Sequence, residues 1–426
     1  MKSWLIFLLR RSERYIKTDM VYLATTGLWL NLNIIIMSVS SLLMLVVFAN
    51  FLTPDIYGTY QYILSLSVLV AAISLGGMNA AVAQAVARGY EGVLRAAVRE
   101  QFIWAIVPTA LSAIASAYYF IQGNTEVGFG LTAIALITPL SNVYNTYSGF
   151  LEGKRAFRTS FLLNTLTNTI PYASLFLAIF FIRDAALLVM INLATNAMAM
   201  AYAYYKTLSL YKPNDRVDPE ALPYGRHLSV MSAFTTVMNQ LGSVLVFHFL
   251  GAAELAIYGL ATMLPERAGS LFGFIGTASM PKFANHSMAY IRENLLAKVL
   301  KVALAATIVA IAYAALAATI FRFLFPKYLS SVPFSEAYAL IIILLAVTSV
   351  TNMTLMAKRL TREIYVISFV QPILLVGLQV PLLLAYGIWG MIAAKVISSA
   401  VGIILGLWFT YRPLGNTPEE PIGQPA

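Results

Sequence analysis

Apolar residues in this chain form runs that are much longer than the polar stretches between them. A run of about 18 residues or more can cross the apolar core of a bilayer as a helix, and counting such runs predicts twelve membrane-spanning helices. Spanning strands would instead show apolar and polar residues alternating over about ten residues. The pattern therefore predicts an all-α, polytopic membrane protein. The twelve predicted spans are 22–48, 61–86, 101–121, 128–150, 159–182, 185–205, 228–250, 256–280, 298–321, 335–357, 364–386 and 388–411.

The composition excludes a soluble domain and several kinds of chemistry. Of the 426 residues, 60% are hydrophobic and 11% are charged, whereas soluble proteins have about 25% charged residues. The chain has no cysteine and three histidines, so disulfides are excluded and no metal site is predicted. We find no motif of an enzyme or of a nucleotide-binding loop in the sequence. No catalytic residue and no cofactor are therefore expected.

The distribution of basic residues predicts the orientation in the membrane. Of the 28 lysines and arginines, 23 lie in the N-terminal segment, in the loops after even-numbered spans or within four residues of such a loop, or in the C-terminal tail. The loops after odd-numbered spans contain only Arg183, Arg322 and Lys327. Since basic loops stay on the cytoplasmic side, both termini are predicted to be cytoplasmic. The net charge of +10 is thus explained by topology and by contact with anionic lipids, and no nucleic acid is expected as a partner.

The polar segments divide the chain into five regions. Residues 1–20 have apolar and basic sides and predict an interfacial amphipathic helix on the inner leaflet. The longest polar segment, 206–227, is predicted to be a cytoplasmic linker between an N-lobe of six spans, 21–205, and a C-lobe of six spans, 228–411. The proline-rich tail, 412–426, is predicted to be a disordered cytoplasmic segment.

A weak internal repeat relates the two halves at an offset of 198 residues. The stretch LVVFANFLTPDIYGTY (45–60) aligns with SVLVFHFLGAAELAIY (243–258), and each lies at the turn between the first and second spans of its half. The identical pairs are Val46/Val244, Phe51/Phe249, Leu52/Leu250 and Tyr60/Tyr258. Because each half has an even number of spans, the repeats have the same orientation and are related by an axis along the membrane normal. This arrangement is typical of carriers that bind substrate between two lobes near the midplane.

Several motifs resemble one transporter family. FANFLTPDIYGTYQYILSL (48–66) resembles the AR-x-LGPE-x-YG turn of polysaccharide and oligosaccharide-lipid flippases, within the multidrug/oligosaccharidyl-lipid/polysaccharide exporter superfamily, although NFLTPD replaces the usual arginine and glycine. Four further stretches match the family in order: SGFLEGKRAF, MPKFANHSM, FRFLFPKYLSS and YGIWGMIAAKVIS. The resemblance implies a two-lobed flippase that moves polyprenyl-pyrophosphate-linked glycans outward by alternating access.

Three charged residues lie deep within the predicted spans. Glu266 and Arg267 lie about ten residues into the eighth span, roughly 15 Å from its outer end, and Pro265 beside them should loosen the helix. An intramembrane arginine should contact protein or a wet cavity, so Arg267 either binds a phosphate of the substrate with its planar fork or forms a structural ion pair. Lys395 lies at similar depth in the twelfth span, about 10 Å from the outer face. Glu266 either only neutralises Lys395, or it is a protonatable switch for ion coupling.

Amide side chains supply a second group of candidates. Asn31, Asn33, Asn239 and Gln240 fall in the first span of each half and are predicted, with Arg267 and Lys395, to bind substrate. Other asparagines recur on one face of a helix and are predicted to hydrogen-bond between helices. These are Asn142, Asn145, Asn164, Asn168, Asn192 and Asn196.

These observations predict a flippase or exporter of lipid-linked oligosaccharide for cell-surface polysaccharide biosynthesis. The expected partners are that substrate, membrane lipids and polysaccharide assembly proteins, and the expected location is the cell (inner or plasma) membrane. A multidrug or cation exporter and a peptidoglycan lipid-precursor flippase are the alternatives. A drug-cation site would need acidic residues, which the first span lacks. A polysaccharide polymerase would need a large polar outer loop, and the predicted outer loops are short.

Overall fold

The computed structural model describes residues 20–273, 288–358 and 360–412. Within these ranges it contains helices and no β-strand, which confirms the all-α prediction. A short 3₁₀ helix covers Pro326–Ser331. The α-helices, numbered in chain order, are α1 Met20–Phe51, α2 Pro54–Ile73, α3 Met78–Ala87, α4 Val93–Trp104, α5 Ile106–Ile121, α6 Thr125–Tyr144, α7 Thr146–Gly153, α8 Phe157–Ala178, α9 Ala185–Tyr211, α10 Ala221–Leu250, α11 Ala252–Ser270, α12 Met288–Leu324, α13 Val332–Tyr338, α14 Leu340–Ala357, α15 Thr361–Tyr386 and α16 Ile388–Tyr411.

Each predicted span coincides with helix in the described ranges, but some spans are interrupted. The second predicted span, 61–86, is divided between α2 and α3 by a break at 74–77, where Leu75 has a φ of +49°. The third, fourth and tenth spans are each interrupted at one residue, Ala105, Asn145 and Ala339, whose backbone stays in the right-handed helical region. Nine helical stretches of the described residues are long and apolar enough to cross a membrane. They show a polytopic membrane protein, and the count of twelve remains a prediction.

The chain divides into two compact units by its contacts. Unit 1 extends from the N-terminus through Ile257 and also includes Phe323–Tyr328, and unit 2 contains Tyr258–Arg322 and the chain from Leu329 onward. Helix α10 therefore belongs to unit 1, although it was predicted to begin the C-lobe. The division into lobes from sequence remains a prediction.

Close packing along α10 explains its place in unit 1. A Cβ atom on Gly77 would lie 2.5 Å from the backbone nitrogen of Ser229, so only glycine permits this approach at the start of α3. The hydroxyl of Ser229 accepts a hydrogen bond from the Gly77 backbone nitrogen at 3.0 Å. Further along α10, the ring of Phe247 stacks on Tyr62 of α2 with centroids 3.7 Å apart. Helix α10 is thus held at both ends against α2 and α3.

The polar segment before α10 is shorter than predicted and is bound to unit 1. Helix α9 continues to Tyr211 and α10 begins at Ala221, so the non-helical linker covers only 212–220 of the predicted 206–227. Within it, Asn214 donates a hydrogen bond to the carbonyl of Gly89 at 3.1 Å and accepts one from the backbone of Glu91 at 3.3 Å.

Four ion pairs surround this linker. They are Arg88–Asp218 at 3.3 Å, Arg95–Asp215 at 2.7 Å, Arg226–Glu100 at 2.7 Å and Lys154–Glu91. The hydrogen bond from Lys154 holds the pKa of Glu91 below its usual value, so Glu91 stays ionised and this pair weakens only when the pH falls through that lowered pKa. Exposed pairs contribute about 0–1 kcal/mol each, but together they fix the linker in one conformation.

Unit 2 contains a tight hairpin of α15 and α16. Gly387, with a φ of +57°, connects the two helices. A Cβ atom on Gly390 would lie 1.9 Å from the carbonyl oxygen of Leu382, so the backbones are in direct contact there. At its other end α16 is capped by Arg292, which donates to the carbonyls of Thr410 at 2.9 Å and Arg412 at 2.6 Å.

We expect Gly390→Ala to destabilise the protein by about 1–3 kcal/mol, because the added methyl group cannot fit without moving the backbone of α15. Gly377→Ala, in the same hairpin, is the control, since a Cβ atom there would contact nothing within 4 Å. That change should be neutral or stabilise α15 by up to about 1 kcal/mol. Thermal unfolding of the two purified variants distinguishes these outcomes, and equal melting temperatures would contradict the packing argument.

The predicted orientation can be tested with single cysteines, because the chain has none of its own. Val217 in the linker is 43% exposed, and its apolar side chain makes none of the hydrogen bonds that the side chain of Asn214 makes. Val217→Cys should be protected from an impermeant thiol reagent in intact cells and should react after lysis. Gln122→Cys, in a loop predicted to be outside, should react in intact cells. The reverse pattern would mean that the predicted orientation is inverted.

Candidate functional site

An ion pair joins two membrane-depth residues of unit 2. Glu266 on α11 accepts a hydrogen bond from the ammonium of Lys395 on α16, with Nζ and Oε1 2.8 Å apart. The hydroxyl of Tyr338, the last residue of α13, donates to the same oxygen at 2.8 Å. Three helices therefore meet at one carboxylate. The structure pairs Glu266 with Lys395, and both interpretations of Glu266, as a neutralising partner and as a protonatable switch, stay predictions.

Two aromatic rings complete the surroundings of Lys395. Its Nζ lies 5.5 Å from the ring centroid of Tyr258 and 5.6 Å from that of Tyr338. A cation within about 6 Å of an aromatic face is attracted by the negative face of the ring. The ammonium thus contacts one carboxylate and two rings, and the residues that carry these rings, Tyr258 and Tyr338, are buried. Its charge is largely compensated inside the protein.

The ion pair is not sealed within unit 2. The side chain of Glu266 is 42% exposed and that of Lys395 is 23% exposed. A charged group in contact with hydrocarbon costs several kcal/mol, so the exposed part of Glu266 requires water or a polar ligand beside it.

Arg267 follows Glu266 but has a different environment. Adjacent helical residues project about 100° apart, so Arg267 does not share the contacts of Glu266. Its Nε atom is buried and has no hydrogen-bond partner among the described residues, and its side chain makes no ion pair with them. A buried donor without a partner costs about 1–3 kcal/mol or more when charged. An acceptor outside the described residues would satisfy this donor and remove the unfavourable free energy.

The four amide residues predicted to bind substrate make no contacts in the described structure that indicate a role. Asn239 is exposed and Gln240 is half-buried on α10, and neither makes a hydrogen bond with described residues. Asn31 and Asn33 lie in α1, but their side chains are outside the part of the structure that is described. The role predicted for these four residues in substrate binding stays a prediction.

Two of the later asparagines bond between helices, as predicted. The side chain of Asn164 on α8 accepts a hydrogen bond from the hydroxyl of Tyr147 on α7 at 2.6 Å. Asn192 on α9 donates to the hydroxyl of Tyr60 on α2 at 2.9 Å. Each amide thereby fastens one helix to another, so their role in packing is confirmed.

The weak repeat has a structural counterpart. Tyr60 and Tyr258 are equivalent in the two halves, and each is buried beside a polar residue. The partner of Tyr60 is Asn192, the eighth residue of α9, and the partner of Tyr258 is Lys395, the eighth residue of α16. Helices α9 and α16 are the last spans of their halves. A neutral pair in unit 1 thus corresponds to a charged cluster in unit 2.

Sequence reasoning missed the two tyrosines of this cluster. Tyr258 was recognised as part of the repeat, and its equivalence to Tyr60 was the available signal that it contacts the last span of its half. Tyr338 lies in a predicted span among apolar residues, and no spacing rule connects it to Glu266, which is 72 positions away.

Comparisons with known proteins agree with this architecture. A family model described as polysaccharide biosynthesis protein matches residues 23–287. None of the curated proteins matches the sequence. Among solved structures, the lipid II flippase MurJ in an inward closed conformation is similar with a TM-score of 0.62 and 14% identity, over 88% of this chain and 87% of that one.

Two further solved structures come from the MOP superfamily. An inward-facing multidrug resistance MATE family transporter has a TM-score of 0.62 and 15% identity, over 88% of this chain and 93% of its own. A MOP superfamily transporter from Pyrococcus furiosus, described by the reverse polarity of its binding pocket, has a TM-score of 0.54 and 12% identity, over 90% of this chain and 95% of its own. At these identities the likeness shows the fold.

The cluster predicts a coupled response to mutation at Glu266 and Lys395. Glu266→Gln leaves the ammonium without its carboxylate and should destabilise the protein by about 1–3 kcal/mol, less than a fully buried pair because the site is partly exposed. Lys395→Met in the Glu266→Gln background should recover much of that loss, because no charge is then left unpaired. Thermal unfolding of the single and double variants measures the coupling.

Transport by the double variant distinguishes the two interpretations of Glu266. A stable and active double variant means that the pair only neutralises charge, and a stable but inactive one means that the carboxylate takes part in coupling. A Glu266→Gln variant with unchanged stability and activity would contradict both interpretations.

Proposed function

Since this chain belongs to the polysaccharide biosynthesis protein family and has the fold of MOP superfamily transporters, we propose that it is a flippase for polyprenyl-(pyro)phosphate-linked oligosaccharide. In this proposal the protein moves the lipid-linked glycan from the inner to the outer leaflet by alternating access, for cell-surface polysaccharide biosynthesis. The lipid-linked substrate and the surrounding membrane lipids are its partners.

The observation that carries the proposal is the buried Nε atom of Arg267, which has no hydrogen-bond partner among the described residues. The buried Nε atom lacks an acceptor among the described residues, and a phosphate oxygen is an acceptor that suits it. Guanidinium binds phosphate through parallel, charge-assisted hydrogen bonds, so one arginine both orients and neutralises the headgroup. Lys395 is a weaker candidate for the same task, because Glu266 and two rings already compensate its charge.

The glycan would be bound by different groups. Asn239 and Gln240 have no hydrogen-bond partner among the described residues, and amides both donate to and accept from sugar hydroxyls. They lie in unit 1 and the charged residues lie in unit 2. The proposal therefore assigns contacts with sugar to the amides of α10.

The two alternatives differ in the ligand they require. A multidrug exporter for cations would need a free carboxylate, and among the charged membrane-depth residues described, Glu266 is already paired with Lys395. A peptidoglycan lipid-precursor flippase would bind the same pyrophosphate and differ in its sugar, and MurJ, a lipid II flippase, shares the fold. The unpaired cation favours an anionic lipid-linked substrate over a drug cation.

We expect Arg267→Lys to keep the charge but lose most of the transport activity, because an ammonium cannot reproduce the planar pair of donors. Arg267→Ala should abolish transport of lipid-linked glycan in reconstituted vesicles. Both variants should also lose the thermal stabilisation that polyprenyl pyrophosphate gives to the parent protein. Their melting temperatures without ligand should stay unchanged or rise, since both remove the buried Nε donor that has no partner among the described residues.

Lys298→Met is a matched control, because it removes a cation near the start of α12 rather than at membrane depth on α11. It should leave stabilisation by polyprenyl pyrophosphate unaltered. Stabilisation of the parent protein by cationic drugs and not by pyrophosphate lipid would favour the multidrug alternative. An Arg267→Ala variant that unfolds, or that transports normally, would contradict the assignment of Arg267 to the substrate.

A further inference from the structure

The turn between α1 and α2 collects two basic side chains at a helix end. Helix α1 ends at Phe51, so its last carbonyls have no partner within the helix. Lys327 donates to the carbonyls of Asn50 at 2.6 Å and Leu52 at 3.3 Å, and Arg183 donates to the carbonyl of Phe51. Cations are favourable at the C-terminal end of a helix because of its dipole.

These contacts explain the exceptions in the charge distribution. The loops predicted to lie outside contain three basic residues, Arg183, Arg322 and Lys327. Two of them bind the end of α1. The turn has the sequence NFLTPD, without the arginine that the family's motif usually has at this place. The cations that contact the turn come instead from distant parts of the chain.

One of these cations belongs to a short segment from the second half of the sequence. We name Phe323–Tyr328 the latch segment. It is part of unit 1, whereas the chain before Phe323 and after Tyr328 belongs to unit 2. The side chain of Asn50 in the turn donates to the carbonyl of Leu324 in the latch segment at 2.8 Å. The side chain of Lys327 in the latch segment in turn donates to carbonyls of the turn.

Aromatic burial adds to the attachment. Phe325 and Tyr328 in the latch segment are fully buried. The ring of Tyr328 packs edge-on against Tyr57 of α2, with centroids 6.2 Å apart. Burial of two aromatic side chains favours the attached state.

One feature opposes attachment. The hydroxyl of Tyr328 is buried and has no hydrogen-bond partner among the described residues. A buried hydroxyl without a partner loses its bonds to water and is unfavourable. The Tyr328 hydroxyl regains its hydrogen bonds to water when the latch segment detaches. The free-energy difference between the attached and detached states is therefore smaller than burial of the two aromatic rings alone would give.

We propose that the latch segment is a releasable fastening, held on the α1–α2 turn by Lys327 and Asn50 in this structure and detached from it during the conformational cycle of the transporter. Its hydrogen bonds are two charge-assisted bonds from Lys327 and one from the amide of Asn50, few enough to break reversibly. The unpaired hydroxyl of Tyr328 sets the balance toward release. The covalent continuity of the segment with unit 2 on both sides makes its attachment sensitive to movement of α12 and α13.

Hydrogen exchange of the backbone amides in Phe323–Ser331, followed by mass spectrometry on the purified protein, measures release directly. Lys327→Met removes the bonds to Asn50 and Leu52 and should accelerate exchange about 3–10-fold. Tyr328→Phe keeps the ring and removes the unpaired hydroxyl, so it should slow exchange by about the same factor. The two changes, at adjacent residues, are thus expected to act in opposite directions.

Arg322→Met is the matched control. It removes the neighbouring cation, which makes no hydrogen bond or ion pair within the described residues, and should leave the exchange rate as it was. Equal rates in the Lys327→Met and Arg322→Met variants would overturn the proposal. An equal acceleration in peptides from α6 would overturn it too, because the change would then be global. If Lys327→Met cannot be purified, Asn50→Ala tests the same fastening through the lost bond to Leu324.

A second experiment tests whether release is needed for transport. Cysteines at Asn50 and Lys327, joined by a short cleavable bifunctional thiol reagent, should block transport, and cleavage of the reagent should restore it. The control joins Ser67 on α2 to Thr138 on α6, whose hydroxyl oxygens are 3.2 Å apart, and should leave transport intact. Normal transport by the joined Asn50–Lys327 pair would overturn the proposal. The exchange experiment needs no substrate, so a failure of the latch and a failure of the proposed function are distinguishable.

Discussion

The absence of water inside a bilayer imposes the constraint on which this structure depends. Each backbone donor and acceptor in the hydrocarbon must be satisfied within the protein, which is why the described residues form helices throughout their apolar segments. Unsatisfied backbone groups are most numerous at helix ends, where the last carbonyls and first amides have no partner within the helix. Basic side chains from distant segments satisfy the carbonyls at the ends of α1 and α16, and the first turn of α9 receives its acceptors from Asp184 and from Glu126 of another helix. Caps of this kind connect helices as well as completing them.

The same absence of water decides which surroundings a charged side chain within a span must have. Where water cannot solvate a charge, the protein must surround it, and the carboxylate, ammonium and two rings around Lys395 do this for one cation. Arg267 lacks such a set among the described residues. Lys395 and Arg267 lie in the same unit, and only Lys395 has its charge compensated by described residues. This difference favours a structural role for Lys395 and a ligand-binding role for Arg267.

The internal repeat shows how one scaffold acquires a site. Buried tyrosines at equivalent positions contact the last span of each half, through Asn192 in one case and Lys395 in the other. The neutral version fastens two helices by one hydrogen bond. The charged version requires Glu266 to compensate it, and this leaves the carboxylate partly exposed. The two halves therefore share packing and differ in electrostatics, which is consistent with a family of transporters in which related folds bind unlike ligands.

The sequence by itself determined the all-α membrane fold, the positions of the helices and the depth of the three intramembrane charges, because length and apolarity decide what can cross a bilayer and these are local properties. It also indicated the partner of Glu266, since two opposite charges at one depth have few other choices. Only the tertiary structure decided that Tyr338 and Tyr258 complete that pair, that α10 packs in unit 1, that the linker is bound by ion pairs, and that Lys327 binds the end of α1. Each of these depends on contacts between residues far apart in the chain, and such contacts are set by how helices pack against one another, which neither periodicity nor composition encodes.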